Sequence, residues 1–311
     1  MKLRNLLGVA AGTVGLTAVA NRLLAARAGE FEPLLSGTQR TYRWRGFDVA
    51  YTEAGDPSDP DLVLLHGINA AASSHEFHAV FEDLAEDYHV LAPDLPGFGH
   101  SDRPPLLYSS SLLTTFVTDF LADNTTDATV VASSLTGSYA ALAARDVDVA
   151  HLVLISPTAT SMGGRQTWLR SLLRSPILGQ GIYNLVVSKP SLRYFHDDHG
   201  YYDVDNLDEE IVDYEWQSGH QPGARFAPAS FVSGFLDSEI DLAAELAALD
   251  VPVTLVWGRD ADITPLSKGR ELADEADARL VVFDDALLVP HAEHPDRFVD
   301  VVRGEYDEAV A

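Results

Sequence analysis

The sequence predicts an α/β protein whose mostly parallel sheet is flanked by helices and interrupted by a helical insertion. Three observations carry that expectation. Short apolar runs such as "DLVLLHG" (61–67) and "VPVTLVWG" (251–258) read as strands buried on both faces. Helical patterns alternate with these runs, as in a layered α/β sheet. Finally, about ninety residues between Ser156 and Asp250 lack a clear buried strand, yet carry Trp168, Tyr183, Tyr194, Tyr214, Trp216, Phe226 and Phe231 on helical patterns. A structureless loop of that length inside a domain would be exceptional, so it reads as a helical lid.

In chain order, "TYRWRGFDVAYTEAG" (41–55) reads as two short strands joined at Arg45-Gly46, followed by the strand "DLVLLHG". "SHEFHAVFEDLAE" (74–86) places Phe77, Val80, Phe81 and Leu84 at helical spacing. "YHVLAPD" (88–94) is a second buried strand, and "SSSLLTTFVTDFLAD" (109–123) is a helix with serine caps available. "ATVVAS" (128–133) is a third strand, leading into a helix over 135–146, and "HLVLIS" (151–156) is a fourth. The lid is expected over 158–236, with a helix near 238–249 returning the chain to the core. "VPVTLVWG", helical "PLSKGRELADEA" (265–276), "ARLVVFD" (278–284) and a closing helix in "EHPDRFVDVVRGEYDEA" (293–309) complete a core of 41–157 and 237–306.

The chain has 311 residues, 46% apolar, which is ample for a large core and excludes global disorder. It has no cysteine, so disulfides and thiolate chemistry are absent. Its 47 acidic residues outweigh 21 basic ones for a net charge of −26, and lysine is limited to Lys2, Lys189 and Lys268. Such a charge repels phosphate backbones, so no nucleic-acid partner is expected. The acids are scattered rather than blocked into a tail, as on a halophilic acidic surface, and the composition resembles that of haloarchaeal proteins. An ordinary acidic protein is the alternative.

Lys2 and Arg4 precede an uncharged run over Leu6–Ala20, and Leu23–Ala26 resumes it after Asn21 and Arg22. That run is short for a span of about 20 residues. Three readings stand: a membrane anchor or peripheral helix over 6–26, a signal peptide with Ala18-Val19-Ala20 as its cleavage-like site, or a helix packed on the domain. The expectation is a segment (1–26) associated with the cytoplasmic side of a membrane, or a cytoplasmic protein, rather than a secreted one.

Five motifs in order now resemble the α/β-hydrolase family over about residues 41–306: "LLHG" (64–67), "LAPDLPGFGHSDRP" (91–104), "VVASSLTG" (130–137), "VPVTLVWGRDADITP" (251–265) and "PHAEHPDRFVDVV" (290–302). The layout is similar to the lid-bearing subgroup of esterases, meta-cleavage hydrolases and haloalkane dehalogenases. The resemblance implies an α/β-hydrolase fold with Ser134 at the nucleophile position of the strand-to-helix elbow, reading Ala132-Ser133-Ser134-Leu135-Thr136 where the family has G-x-S-x-G. Thr136 departs from that pattern, and Gly137 follows. The oxyanion hole would use the N–H of Leu135 and of Ile68, with His66 shaping the loop.

The family's acid slot, three after Gly258 and four before Pro265, falls on Ala261, between Asp260 and Asp262. The His slot, two before Pro290, falls on Leu288. Asp262 and His291 are the stand-in acid and base; His294 lies further along, and His196, His199 and His220 lie in the lid. "HDDH" (196–199) reads as a solvated lid loop, so no metal is expected, and no cofactor is implied. The resemblance thus implies a hydrolase of a small ester or related apolar acyl substrate. A degenerate homologue that binds an apolar ligand or partner under the lid, and a lyase-like chemistry in the same pocket, remain open, as does the oligomeric state.

Overall fold

The computed structural model describes residues 3–306, with side chains from residue 14 onward. Helix α1 (Leu3–Ala28) leads into a hairpin of β1 (Thr38–Trp44) and β2 (Phe47–Ala54). Arg45 and Gly46 at its turn both take positive φ (45° and 93°), the primed turn whose twist matches that of the flanking strands. Then come β3 (Asp61–Leu65), α2 (Phe81–Leu84), β4 (His89–Pro93), α3 (Ser110–Asn124), β5 (Ala128–Ser133), α4 (Thr136–Ala143) and β6 (Val149–Ile155). The helices α5 (Thr167–Arg174), α6 (Leu178–Val186), α7 (Lys189–Phe195), α8 (Glu209–Gly219), α9 (Phe226–Val232) and α10 (Leu242–Ala247) lie between β6 and β7 (Val253–Gly258). The chain closes with α11 (Leu266–Ala276), β8 (Arg279–Phe283), α12 (Pro290–Glu293) and α13 (Pro295–Arg303).

The eight strands form one sheet in the order β1-β2-β4-β3-β5-β6-β7-β8. β2 runs antiparallel to β1 and β4; every other pairing is parallel. This is the mixed, largely parallel α/β-hydrolase architecture with a helical lid. The strand runs are apolar throughout because each strand is covered twice. Val63, Leu65, Val130, Leu152 and Leu255 join one core with Phe116 and Phe120 of α3, Tyr139 of α4 and Leu246 of α10. Their neighbours Leu62, Leu64, Val131, Val153 and Val256 face the other way, onto Phe81 of α2 and Phe298, Val299 and Val302 of α13.

Two expectations change. The segment 74–86 is not a continuous helix: it makes a 3₁₀ turn (Ser74–Phe77), then the single turn of α2. Its polar groups are drawn sideways, the Ser74 N–H to Asp94 and the Glu76 carboxylate to the Gly67 N–H, which holds the first turn out of register with the second. The second correction concerns the expected membrane association through residues 6–26. Among the described residues no helix is long and apolar enough to cross a membrane. Instead the carboxyl half of α1 docks on the lid. Asn21 donates to the Ile177 carbonyl (3.1 Å) and accepts from Asn184 (2.9 Å). A methyl group on Gly181 would come within 2.8 Å of Thr17 Cγ2, so only glycine allows the two helices this approach.

The lid packs its own small core of Tyr183, Val187, Leu192, Val212 and Ala224 against Ala71. Polar contacts fix it to the sheet's carboxyl edge: Tyr183 donates to the Ala70 carbonyl (2.6 Å), Arg103 to the Ser218 carbonyl (2.7 Å), and the Tyr202 N–H to Glu293 (2.7 Å).

Candidate active site

β5 delivers Ser134 at its carboxyl end, and the chain turns there directly into α4. The turn forces Ser134 into the left-handed region (φ 54°), a conformation that costs a non-glycine residue about 1 kcal/mol or more. Backbone bonds hold it: the Ser134 N–H donates to Ile155 (2.8 Å), and its carbonyl accepts from Gly137 (3.1 Å) and Thr158 (3.2 Å). Ser134 is half-buried between buried Ser133 and Leu135. Among the described residues its hydroxyl makes no hydrogen bond.

Thr136, the departure within the elbow, is fully buried and useful. Its hydroxyl donates to the His66 carbonyl at 2.7 Å, tying the start of α4 to the end of β3. The tight approach that the elbow demands falls one residue later, where a Cβ on Gly137 would lie 2.9 Å from Pro157 Cβ. His66 uses both ring nitrogens on the loop: Nδ1 donates to the Gly67 carbonyl (2.7 Å), and Nε2 accepts from the Leu95 N–H (3.0 Å). Burial lowers its pKa to about 4 and keeps it neutral. The N–H groups of Leu135 and Ile68 have no acceptor among the described residues. Both residues are buried, and a buried N–H is seldom left unpaired.

Among the described residues, none of the remaining sequence candidates is hydrogen-bonded to Ser134. Ala261 is buried in an apolar cluster with Trp257 and Leu266, and Leu288 packs on the same cluster. Asp262 is well exposed (58%), caps the Ile263 N–H (2.7 Å) and lies 3.3 Å from lid residue His199. Asp260 is also exposed. His291 is completely buried between Phe77 and Phe298, with Nε2 donating to the Glu76 carbonyl (3.2 Å). Burial pushes its pKa down to about 3. His294 lies against Phe283 with Nε2 3.1 Å from the Asp285 carbonyl, and His220 donates to the Trp216 carbonyl (2.7 Å).

The sequence reading passed over two charged side chains, one in the lid and one in the turn after β3. Glu215 of α8 bridges two imidazoles, His196 of the lid (2.8 Å) and His75 of the loop after β3 (3.4 Å). Burial alone would raise its carboxyl, but hydrogen bonds and charge from His196 and His75 outweigh burial and bring it down to about 2. The second is Glu76. One carboxylate oxygen accepts the Gly67 N–H at 2.7 Å; the other is buried without a hydrogen-bond partner. In both cases the missing signal was spatial: "SSHEF" and "VDYEWQ" look like polar positions on ordinary helices.

A sequence model of the Alpha/beta hydrolase family matches residues 62–301. The chain belongs to the α/β-hydrolase family. Among the relatives of this α/β-hydrolase is the pimeloyl-[acyl-carrier protein] methyl ester esterase of Aeromonas salmonicida, 26% identical over 254 residues, covering 78% of this chain and 94% of the esterase. Another is the 2-hydroxymuconate semialdehyde hydrolase of a Pseudomonas species, 28% identical over 266 residues, 80% of this chain and 88% of the relative. The solved meta-cleavage product hydrolase of Pseudomonas fluorescens superposes with a TM-score of 0.70 over 88% of this chain and 98% of that one. At 22% identity that likeness speaks for the fold alone.

Proposed function

We propose that this α/β-hydrolase cleaves a small, apolar ester-type substrate, with Ser134 as nucleophile. The observation that carries the reading is the conjunction at the elbow. Ser134 is held in a left-handed conformation, and among the described residues its hydroxyl is unbonded and the N–H groups of buried Leu135, its neighbour, and of buried Ile68 have no acceptor. Strain at a serine next to unspent backbone donors suits a group that attacks a carbonyl whose oxygen the donors then receive. An esterase among the relatives favours the ester class. Asp262 and His291 are not carried forward as stand-in acid and base of Ser134: Asp262 bonds the Ile263 N–H and lid residue His199, and His291 bonds the Glu76 carbonyl.

The test is turnover of p-nitrophenyl esters of increasing chain length, with fluorophosphonate labelling, by the full chain in molar salt. Labelling and turnover that vanish in Ser134→Ala support the reading. A second reading, binding of an apolar ligand without turnover, is favoured by the apolar packing of Ala261 and Leu288, the two positions that the family resemblance assigns to acid and base. It predicts retention of short acyl compounds by a chain that is never labelled.

A further inference from the structure

The amino-terminal segment is anchored at two places. Its helical part is fixed to the lid. Beyond the bonds from Asn21 to Ile177 and Asn184, Arg27 stands 5.9 Å over the ring of Trp216 in α8, and Gln221 donates to the Gly29 carbonyl (2.8 Å). Its far end is fixed to the core. Leu35 is buried in the cluster that holds Leu62, Leu64 and Phe81, and the Ser36 hydroxyl donates to Glu82 of α2. Between these anchors, Phe31 stacks on His100 of the loop after β4, with ring centroids 3.9 Å apart and planes 14° apart. It also leans on Tyr214 of α8 (5.3 Å, 58°). Phe31 therefore touches lid and core at once.

We propose that residues 17–36 form a strap that holds the lid closed, with Phe31 as its catch. Topology gives the strap its leverage. The lid is inserted between β6 and β7, in the half of the sheet that ends at β8. The strap leads instead into β1, the opposite edge strand. It adds a third attachment, at the sheet edge remote from the two covalent ones.

The contacts also decide which seam yields. α1 meets the lid through hydrogen bonds and through the close approach at Gly181. Phe31 meets His100 ring on ring, so that seam parts without breaking a hydrogen bond. His100 Nε2 is buried without a hydrogen-bond partner, a cost that is relieved if parting the seam admits water. The lid and α1 then move as one body, and Phe31 leaves His100 while it stays against Tyr214. The polar ties from Tyr183 to Ala70, Arg103 to Ser218 and Tyr202 to Glu293 part in the same motion, so losing the catch loosens the lid without freeing it. The strap thereby controls access to the sheet's carboxyl edge, where β5 ends at Ser133 and presents Ser134. It does so whether or not Ser134 turns over an ester.

The experiment is amide hydrogen exchange with limited proteolysis, on the full chain in molar salt. The variants are Phe31→Ala, Phe31→Tyr, His100→Ala and the Phe31→Ala/His100→Ala pair. In wild type, amides of residues 17–28 are expected to exchange together with those of α6 and α8, and faster than those of the central strands. Phe31→Ala is expected to raise lid exchange and cleavage about fivefold or more, with β3, β5 and β6 unchanged. Phe31→Tyr keeps the ring and should keep the wild-type rates. His100→Ala should loosen the lid likewise, and Phe31→Ala on top of it should add little, because the catch is already open. Wild-type lid rates in Phe31→Ala, equal acceleration of lid and sheet, or additive effects of the two single variants overturn the catch. Residues 17–28 exchanging well ahead of α6 and α8 overturn the strap. Should Phe31→Ala not fold, His100→Ala and the wild-type exchange pattern decide by the same criteria. Absence of ester turnover in wild type would sink the ester reading and leave these outcomes untouched.

Discussion

Ala261 and Leu288 pack into one apolar cluster with Trp257 and Leu266, at the carboxyl ends of β7 and β8. Two loops that could carry an acid and a base instead give a methyl and an isobutyl group to the same apolar cluster. Replacing Ala261 by Asp alone would put a carboxylate into that cluster without a partner. The expected cost is about 2–4 kcal/mol, read from denaturant unfolding. Leu288→His in the same chain would give the carboxylate an imidazole. A double-mutant cycle is then expected to show favourable coupling of about 1–3 kcal/mol. Additive effects would mean that the two side chains do not face each other.

The bond from Thr136 to the His66 carbonyl leads to a prediction about the elbow itself. Thr136→Val keeps the shape and removes the side-chain donor to that buried carbonyl. The expected loss is about 1–2 kcal/mol of stability, with faster amide exchange in residues 66–68. Thr136→Ser keeps the donor and is expected to lose much less. Equal losses in the two variants would show that the methyl group, not the hydrogen bond, is what the elbow needs.

Gly137 marks the same turn by volume. A Cβ there would meet Pro157 Cβ at 2.9 Å, an atom locked in the proline ring that cannot swing away. Gly137→Ala is therefore expected to destabilise by about 1–3 kcal/mol, even though alanine favours helix at an ordinary position. A neutral or stabilising outcome in thermal unfolding would count against this elbow geometry.

These residues show what the sequence made legible. The sheet was readable because each strand is buried on both faces, so its apolar runs stand out without tertiary knowledge, and the address of Ser134 followed from the strand-to-helix motif. What stayed hidden depends on contacts between distant positions. Glu76 bonds to Gly67, lies near Ser133 and carries His291 behind it, yet in the sequence it is one polar residue in what resembles an amphipathic helix. Glu215 is similarly ordinary until the lid sets it between His75 and His196. The polar seam from Asn21 to Asn184 could not be read from an apolar N-terminal run, whose composition suggests lipid as readily as a lid.

The Glu215 bridge makes lid docking pH-dependent, and the signs can be worked out for each partner. Glu215 has a folded pKa lowered to about 2, so its contribution is present above the unfolded carboxyl value and is lost as pH falls through the folded one. A depression of that size corresponds to stabilisation on the order of 3 kcal/mol. His196 shifts the opposite way: burial lowers it, but the hydrogen bond and charge of Glu215 win and raise it. Its contribution is fully present below the unfolded histidine value and is lost as pH rises through the folded one. Lid docking should therefore be tightest between the unfolded carboxyl and histidine values, roughly pH 4.5 to 6.5, and weaken on both sides. Limited proteolysis across pH is expected to find the lid most resistant in that window. Glu215→Gln should flatten both limbs while leaving the sheet's unfolding unchanged in its own pH dependence. A lid whose cleavage rate ignores pH in the wild-type chain would show that the bridge does not govern docking.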